Sequence, residues 1–379
     1  QAAPSRLFHF RLDSNQRAAH CVFTQRAARW FIRFLLSGDD SMFLNFKGFV
    51  FVLLAVLLSA FSLSCARKPM LADPKPPLYG EATQQDTTPS LEPGIYALNS
   101  GQKISPEQLY TMLSSARFVI VGESHDDVFH HDVQRQVYEG LWHAAKMQGK
   151  SSRVWFGLEM IQLPYQGALD RFVKGEISES EMLEAVEWDS RWGYSSDFYA
   201  PMWTHAQQQQ TPIIALNSPR EISRKISQVG IDGLDADERA LLPEELDFDH
   251  AAHRQWFEQM FQAHGGMSME DRDMFERFYQ AQVSWDETMA YRAVDAMKAA
   301  PAEDLMMIVA GSGHVIHGWG IPSRIERRLD TPDATSRVLT VIPVSSPASG
   351  EDLKAPTAVS EQQFERWQKQ GYADFIWVQ

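Results

Sequence analysis

The sequence predicts an α/β fold: a mainly parallel central sheet covered by helices, with an inserted all-helical subdomain or lid. Three observations carry this. Short, continuously apolar runs recur from residue 117 onward, helical stretches alternate with them, and the interval of about 234–300 has helical patterning with no strand signal.

The apolar runs are 117–122 (RFVIVG), 154–160 (VWFGLEM), 212–217 (PIIALN), 305–310 (LMMIVA), 338–344 (VLTVIPV) and 375–378 (FIWV). Most contain β-branched residues and none alternates with polar ones, as expected of strands buried on both faces of a mainly parallel sheet. Between them, Ser105-Pro106-Glu107 reads as a capped helix start with Pro at its first position. Residues 127–147, 196–210 and 219–228 read as further helices.

Upstream of the folded part the organisation changes. Residues 1–41 have no periodic pattern and are expected to be translated upstream sequence rather than native protein. Residues 42–65, MFLNFKGFVFVLLAVLLSAFSLSC, have a Lys, a short apolar run and small residues ending at Cys65, the layout of a secretory signal. The run is short for a membrane span, which takes about 20 apolar residues; the alternative is an uncleaved signal anchor. Cys65 sits as in a bacterial lipobox, although Ser62 stands where that motif usually has Leu. Lipidation of Cys65, with Ala66 after it, would place the protein at the outer membrane, lipid-anchored. Residues 66–94 are rich in Pro, Gln and Thr and read as a disordered tether, leaving 95–379 as the α/β domain.

Composition narrows the function. The chain has 379 residues, is 44% hydrophobic and carries a formal charge of −14, which argues against broad nucleic-acid binding. Its two cysteines both precede the folded part, so the domain has no disulfide and no Cys-based metal site. HExxH, a Walker loop, GxGxxG and GxSxG are all absent, leaving the common hydrolase and nucleotide-binding classes unsupported.

Ligands of open α/β sheets bind beyond the carboxyl ends of the strands. There the sequence places Gly122-Glu123-Ser124-His125, then His130; Glu159 in the second run; Asn217 and Arg220 after the third; and His314 after the fourth. A carboxylate inside an apolar strand is costly unless paired, so Glu159 needs a partner. Arg220 is one candidate for a structural ion pair with it, and His314 could be a core histidine. As a group, His125, Glu159 and His314 could ligate a divalent metal, with Glu123 among the catalytic candidates. Alternatively, His125 could act as general base, oriented by Glu123 or Glu159. Aromatic residues also cluster, at Trp188, Trp192, Tyr194, Phe198, Tyr199 and Trp203 and again at Phe275, Phe278, Tyr279, Trp285 and Tyr291. These could be core, or the wall of a flat porphyrin.

The string VIVGESHDDVFHHDVQ resembles the opening motif of ChaN-type proteins, the haem-binding uptake group of the Tiki superfamily. GLEMIQLPYQGALDRFVKGEIS, WDSRWGYSSDFYAPMWTHA, IIALNSPRE, AQVSWDETMAYRAV and VAGSGHVIHGWGIPSRI are similar to later blocks of that family, in its order. The resemblance covers roughly 105–329 and implies a haem-binding outer-membrane lipoprotein of haem or iron acquisition, a homodimer with cofacial porphyrins, and Tyr as iron ligand. Tyr165, Tyr194 and Tyr199 lie in matching blocks and, with His130, are the haem-ligand candidates. The wider superfamily includes metal-dependent proteases and erythromycin esterase. Gly122, His125, Glu159 and His314 match its shared Gly-x-x-His, Glu and His features, which implies the alternative of a metal-dependent hydrolase acting on a peptide or ester.

Overall fold

Each apolar run forms a strand in the computed structural model, which describes residues 90–147, 153–262, 269–329, 337–345 and 359–379. The expected upstream segment 1–41, the signal peptide 42–65 with Cys65, and the tether up to residue 89 lie outside the described residues. The chain joins the fold earlier than the expected boundary at 95. Ser90 bridges Ser360, Leu91 N–H donates to Val359 O (2.7 Å), and strand β1 (Gly94–Ala97) comes next.

β1 and β2 (Gln102–Ile104) were not apparent from the sequence, because neither presents a long apolar run. The others are β3 (Phe118–Glu123), β4 (Val154–Gln162), β5 (Ile213–Asn217), β6 (Leu305–Gly311), β7 (Val338–Val344) and β8 (Phe375–Val378). They form one eight-stranded sheet of order β2-β1-β8-β7-β3-β6-β4-β5. β8-β7-β3-β6-β4-β5 are parallel, while β1 pairs antiparallel with β2 and β8.

The continuous apolar runs have a structural cause: helices cover both faces. Val119 and Val121 of β3, with Met307 and Val309 of β6, face one layer, whereas Phe118, Ile120, Met306 and Ile308 face the other. The first layer contains α1 (Pro106–Leu113), α2 (Val128–Met147), α3 (Gln166–Val173), α4 (Glu179–Ala185), α5 (Trp188–Arg191) and α6 (Ala200–Gln208). α1 starts on the expected Ser105 cap, completed into a capping box by Gln108. The single helix read over 196–210 is two pieces, a 3₁₀ turn (Ser196–Phe198) and α6. Pro201 lies at the start of α6, where its missing N–H is tolerated.

Helices α7 (Arg220–Val229), α8 (Ala236–Arg239), α9 (Ala251–Gln262) and α10 (Met269–Lys298) occupy the interval between β5 and β6. This is the helical block expected over about 234–300, and the second half of its longest helix also covers the sheet. Met289, Ala290, Ala293, Val294 and Met297 of α10 pack on the second face of the sheet, beside α11 (Ile321–Arg328) and α12 (Glu361–Gln370). The helical block also has local cores: Phe275, Tyr279 and Val283 of α10 pack against Phe248, Phe257 and Phe261, and Ala281 packs with Ile222, Ile226 and Leu242. Among the described residues, no helix is long and apolar enough to cross a membrane.

The topology fixes where a site forms. β3 and β6 are neighbours, yet β3 continues through α2 in the first layer to β4, and β6 through α11 in the second layer to β7. Their connections leave in opposite directions and over opposite faces, which opens a crevice beyond their carboxyl ends.

Candidate functional site

Glu123 ends β3 opposite Gly311, the last residue of β6. Its carboxylate is buried and fully engaged. Oε1 accepts from Tyr199 Oη (2.8 Å) and from His125 Nδ1 (2.7 Å), and Oε2 accepts from Gln134 Nε2 (2.8 Å). Several donors on one carboxylate offset the cost of burying its charge. They also fix His125, whose Nδ1–H points at Glu123. Its side chain is 31% exposed and its ring lies edge-on to Trp192 (4.6 Å between centroids) and near Tyr194 (5.3 Å). Burial disfavours the imidazolium, but the Glu123 hydrogen bond and the Glu159 charge outweigh it and raise the pKa of His125 above its ordinary value.

The second half of the site is a buried chain of alternating charge. Glu159 Oε2 accepts from Gly311 N–H (2.6 Å), and Oε1 lies 3.4 Å from His314 Nε2. His314 Nδ1 donates to Asp286 Oδ1 (2.6 Å), which comes from the middle of α10. Burial works against both charges; even so, the two carboxylates push His314 up to about 10, and the histidines pull Glu159 down to about 2. Asp286 Oδ2 is 3.7 Å from buried His253 of α9, where burial takes the imidazole down to about 4. The two halves meet at Gly311. A Cβ built there would stand 3.0 Å from His125 Cε1 and 3.6 Å from Glu159 Oε2, so any larger residue would require the His125 ring to give way by a few tenths of an ångström.

The structure thus brings together Glu123, His125, Glu159 and His314, as expected from the strand ends. It separates Asn217 and Arg220 from them. Arg220 does not pair with Glu159; its exposed guanidinium donates to Ser190 O (2.5 Å) and its backbone N–H to Gln162 Oε1. Asn217 ends β5 opposite Gln162. Nor is there a divalent-metal set in His125, Glu159 and His314. Both ring nitrogens of His314 face carboxylates, and among the described residues no three His, Cys, Asp or Glu side chains are placed to hold a metal ion.

The haem-ligand candidates fall in different settings. Tyr199 is fully buried and committed to Glu123; burial and the Glu123 charge push its phenol far above the ordinary value. His130 is buried, with Nδ1 accepting from Ser124 N–H (2.8 Å). Tyr165 lies under the Arg191 guanidinium (5.0 Å) beside the Gln162 group. Tyr194 is 39% exposed and stands over His125 and Trp192.

Sequence reasoning missed Asp286 and the partners of Glu123, Gln134 and Tyr199 in that role. A signal for Asp286 was present: Tyr279, Val283, Asp286, Ala290, Ala293 and Met297 recur at helical spacing and are all buried, so an acid occupies one position of an apolar stripe.

A doubly covered α/β sheet with a Glu/His cluster at its switch point defines the protein as an α/β protein with a ligand crevice at its strand ends. Residues 109–325, more than half of the chain, match the family described as haem-binding uptake, Tiki superfamily, ChaN, and the chain belongs to that family. ChaN of Campylobacter jejuni, solved with cofacial haem, is similar in structure: 19% identity, TM-score 0.54, covering 77% of this chain and 97% of that one. More distantly similar are a Bacillus cereus protein (12% identity, TM-score 0.37, 74% and 81% coverage) and an erythromycin esterase in its open conformation (11%, 0.34, 71% and 82%). No curated protein matches the chain.

Haem is the group that family membership implies, and the donor set at the crevice suits it. Tyr194, a 39% exposed residue, carries a phenol, a hard oxygen donor for ferric iron, with the aromatic ring of Trp192 adjoining it (5.5 Å between centroids).

Proposed function

We propose that the chain is a haem-binding lipoprotein of the outer membrane that serves haem or iron acquisition, with Tyr194 as the iron ligand. The observation that carries the site is the exposure of Tyr194 beside His125, where Tyr199 is buried on Glu123 and Tyr165 lies beneath Arg191. Bound haem supplies the iron to be acquired. In this reading the protein's residues do the rest. Trp192 packs against the His125 ring, and Glu123 holds that ring through Nδ1. The Glu159–His314–Asp286 chain keeps the floor rigid.

Anchoring rests on Cys65, at the end of the apolar run of the signal-like segment. The cofacial haem of the Campylobacter jejuni protein supports a homodimer in which two such mouths face each other. Ferric haem titration of the full chain tests the site. A saturable, shifted Soret band that changes in Tyr194→Phe is expected, and an unchanged spectrum in that variant removes Tyr194 as the ligand. Metabolic labelling with a radiolabelled fatty acid tests the anchor, with label expected in the wild type and lost in Cys65→Ser.

A second reading has one observation in its favour. Glu123 orients the partly exposed His125 as an acid would orient a general base, which suits hydrolysis of a peptide or ester. Ester turnover by the full chain that is lost in His125→Gln would establish it.

A further inference from the structure

The crevice offers a planar ligand more aromatic surface than donor atoms. Its inner polar groups are committed to one another: Glu123 to Tyr199, His125 and Gln134; Glu159 to Gly311 and His314; His314 to Asp286. The rim is different. From the first layer, Trp192 and Tyr194 stand against His125, both partly open to solvent. From the second layer, Trp285 of α10 lies edge-on to His314 (6.0 Å), and Trp256 of α9 reaches the other glycine of the floor, 3.7 Å from a Cβ built on Gly313; both are partly exposed. Aromatic rings therefore border the strand-end floor from both layers, while Gly311 and Gly313 keep the floor itself low. Flat faces from two sides hold a flat ring by stacking and burial of apolar surface, whatever lies at its centre.

We propose that this crevice recognises the porphyrin macrocycle rather than its iron, so that metal-free protoporphyrin IX is a ligand in its own right. The inference rests on the haem-binding reading and extends it to a class of ligand, tetrapyrroles with or without a metal. Tyr194 then adds a bond to iron on a ring already held by Trp192, Trp256 and Trp285.

The test compares protoporphyrin IX and ferric haem on the full chain, following quenching of tryptophan fluorescence. The expected result is saturable binding of both with dissociation constants within about tenfold of each other, equivalent to about 1.4 kcal/mol. Saturable haem binding with protoporphyrin IX more than about tenfold weaker overturns the inference and leaves the haem reading standing. Saturable binding of neither overturns both. A second arm guards against adherence of a greasy ring elsewhere on the surface. In Trp285→Ala, checked to melt cooperatively, both ligands should weaken by similar factors; undiminished protoporphyrin binding also overturns the inference. Tyr194→Phe, which keeps the ring and removes only the hydroxyl, should change the absorption of bound ferric haem and weaken ferric haem more than protoporphyrin IX; the reverse order would overturn the inference.

Discussion

Asp286 Oδ1 stands 2.6 Å from His314 Nδ1, on the opposite side of the imidazole from Glu159, so one ring ties helix α10 to strand β4. The ring is held as an imidazolium between two buried carboxylates. Removing one member of such a group costs more than the group contributes as a whole, since it leaves a buried charge uncompensated.

That arrangement sets a pH window. His314 is raised from 6.5 to about 10, so its contribution to stability is complete below pH 6.5 and is lost as pH rises toward 10. Glu159 is lowered from 4.5 to about 2, so its contribution is complete above pH 4.5 and is lost as pH falls toward 2. Urea midpoints of the full chain across pH should peak between these limits. His314→Gln should lower stability by about 3 kcal/mol near pH 6 and flatten the alkaline limb. An alkaline limb of unchanged slope in that variant would show that another group sets it.

Gly311→Ala tests the junction of the two halves. The added Cβ would meet His125 Cε1 at 3.0 Å, closer than the neighbour tolerates without moving. Crowding of this kind typically costs about 1–3 kcal/mol. The ring resonances of His125 in an NMR spectrum should shift, and those of His253, farther along the chain of charges, should not. Unmoved His125 resonances would count against the close approach.

Tyr199→Phe separates support from ligation. It removes one donor from the buried Glu123 carboxylate, at a cost of about 1–3 kcal/mol in denaturant unfolding. The spectrum of bound ferric haem should remain that of the wild type, in contrast to Tyr194→Phe. A lost Tyr-ligation feature in the Tyr199 variant would transfer the ligand to that residue.

Arg117 anchors the far end of α10. Its guanidinium donates to the carbonyls of Met297 (2.7 Å), Ala300, Pro301 (2.6 Å), Ala302 and Asp304, tying the last turn of the helix to the loop that leads into β6. Arg117→Ala should destabilise the chain by about 2 kcal/mol with haem affinity unchanged, read by urea unfolding and haem titration. A variant as stable as the wild type would show these bonds to be replaceable by water.

Much of the fold was legible in the sequence because burial on both faces writes a strand as an unbroken apolar run, as in 305–310 and 338–344. Glu123, His125, Glu159 and His314 could be gathered because each ends or succeeds such a run. β1 and β2 were not legible, since strands of four and three residues are too short to show an apolar run. Asn217 and Arg220 have the same strand-end signature as His314, yet β5 is an edge strand separated from β6 by β4, and Arg220 bonds to Ser190 O and Gln162 Oε1 instead. Tyr199 entered the ligand candidates because it lies in a block resembling the family, and such a block does not show which hydroxyl bonds a buried carboxylate. Asp286 was missed because it comes from a helix midpoint, far from any strand end in sequence.

The apolar stripe that carries Asp286 also gives α10 only one usable rotation. Each residue added to a helix rotates every later position by about 100°. A single insertion between Val283 and Asp286 would swing Phe275 and Tyr279 out of their own core if Asp286 and the residues after it kept their places, or carry Asp286 away from His314 and Ala290, Ala293 and Met297 off the sheet if the first half kept its place. The length of this helix is therefore under a frame constraint in its own right: the domain accepts insertions there by whole turns or not at all.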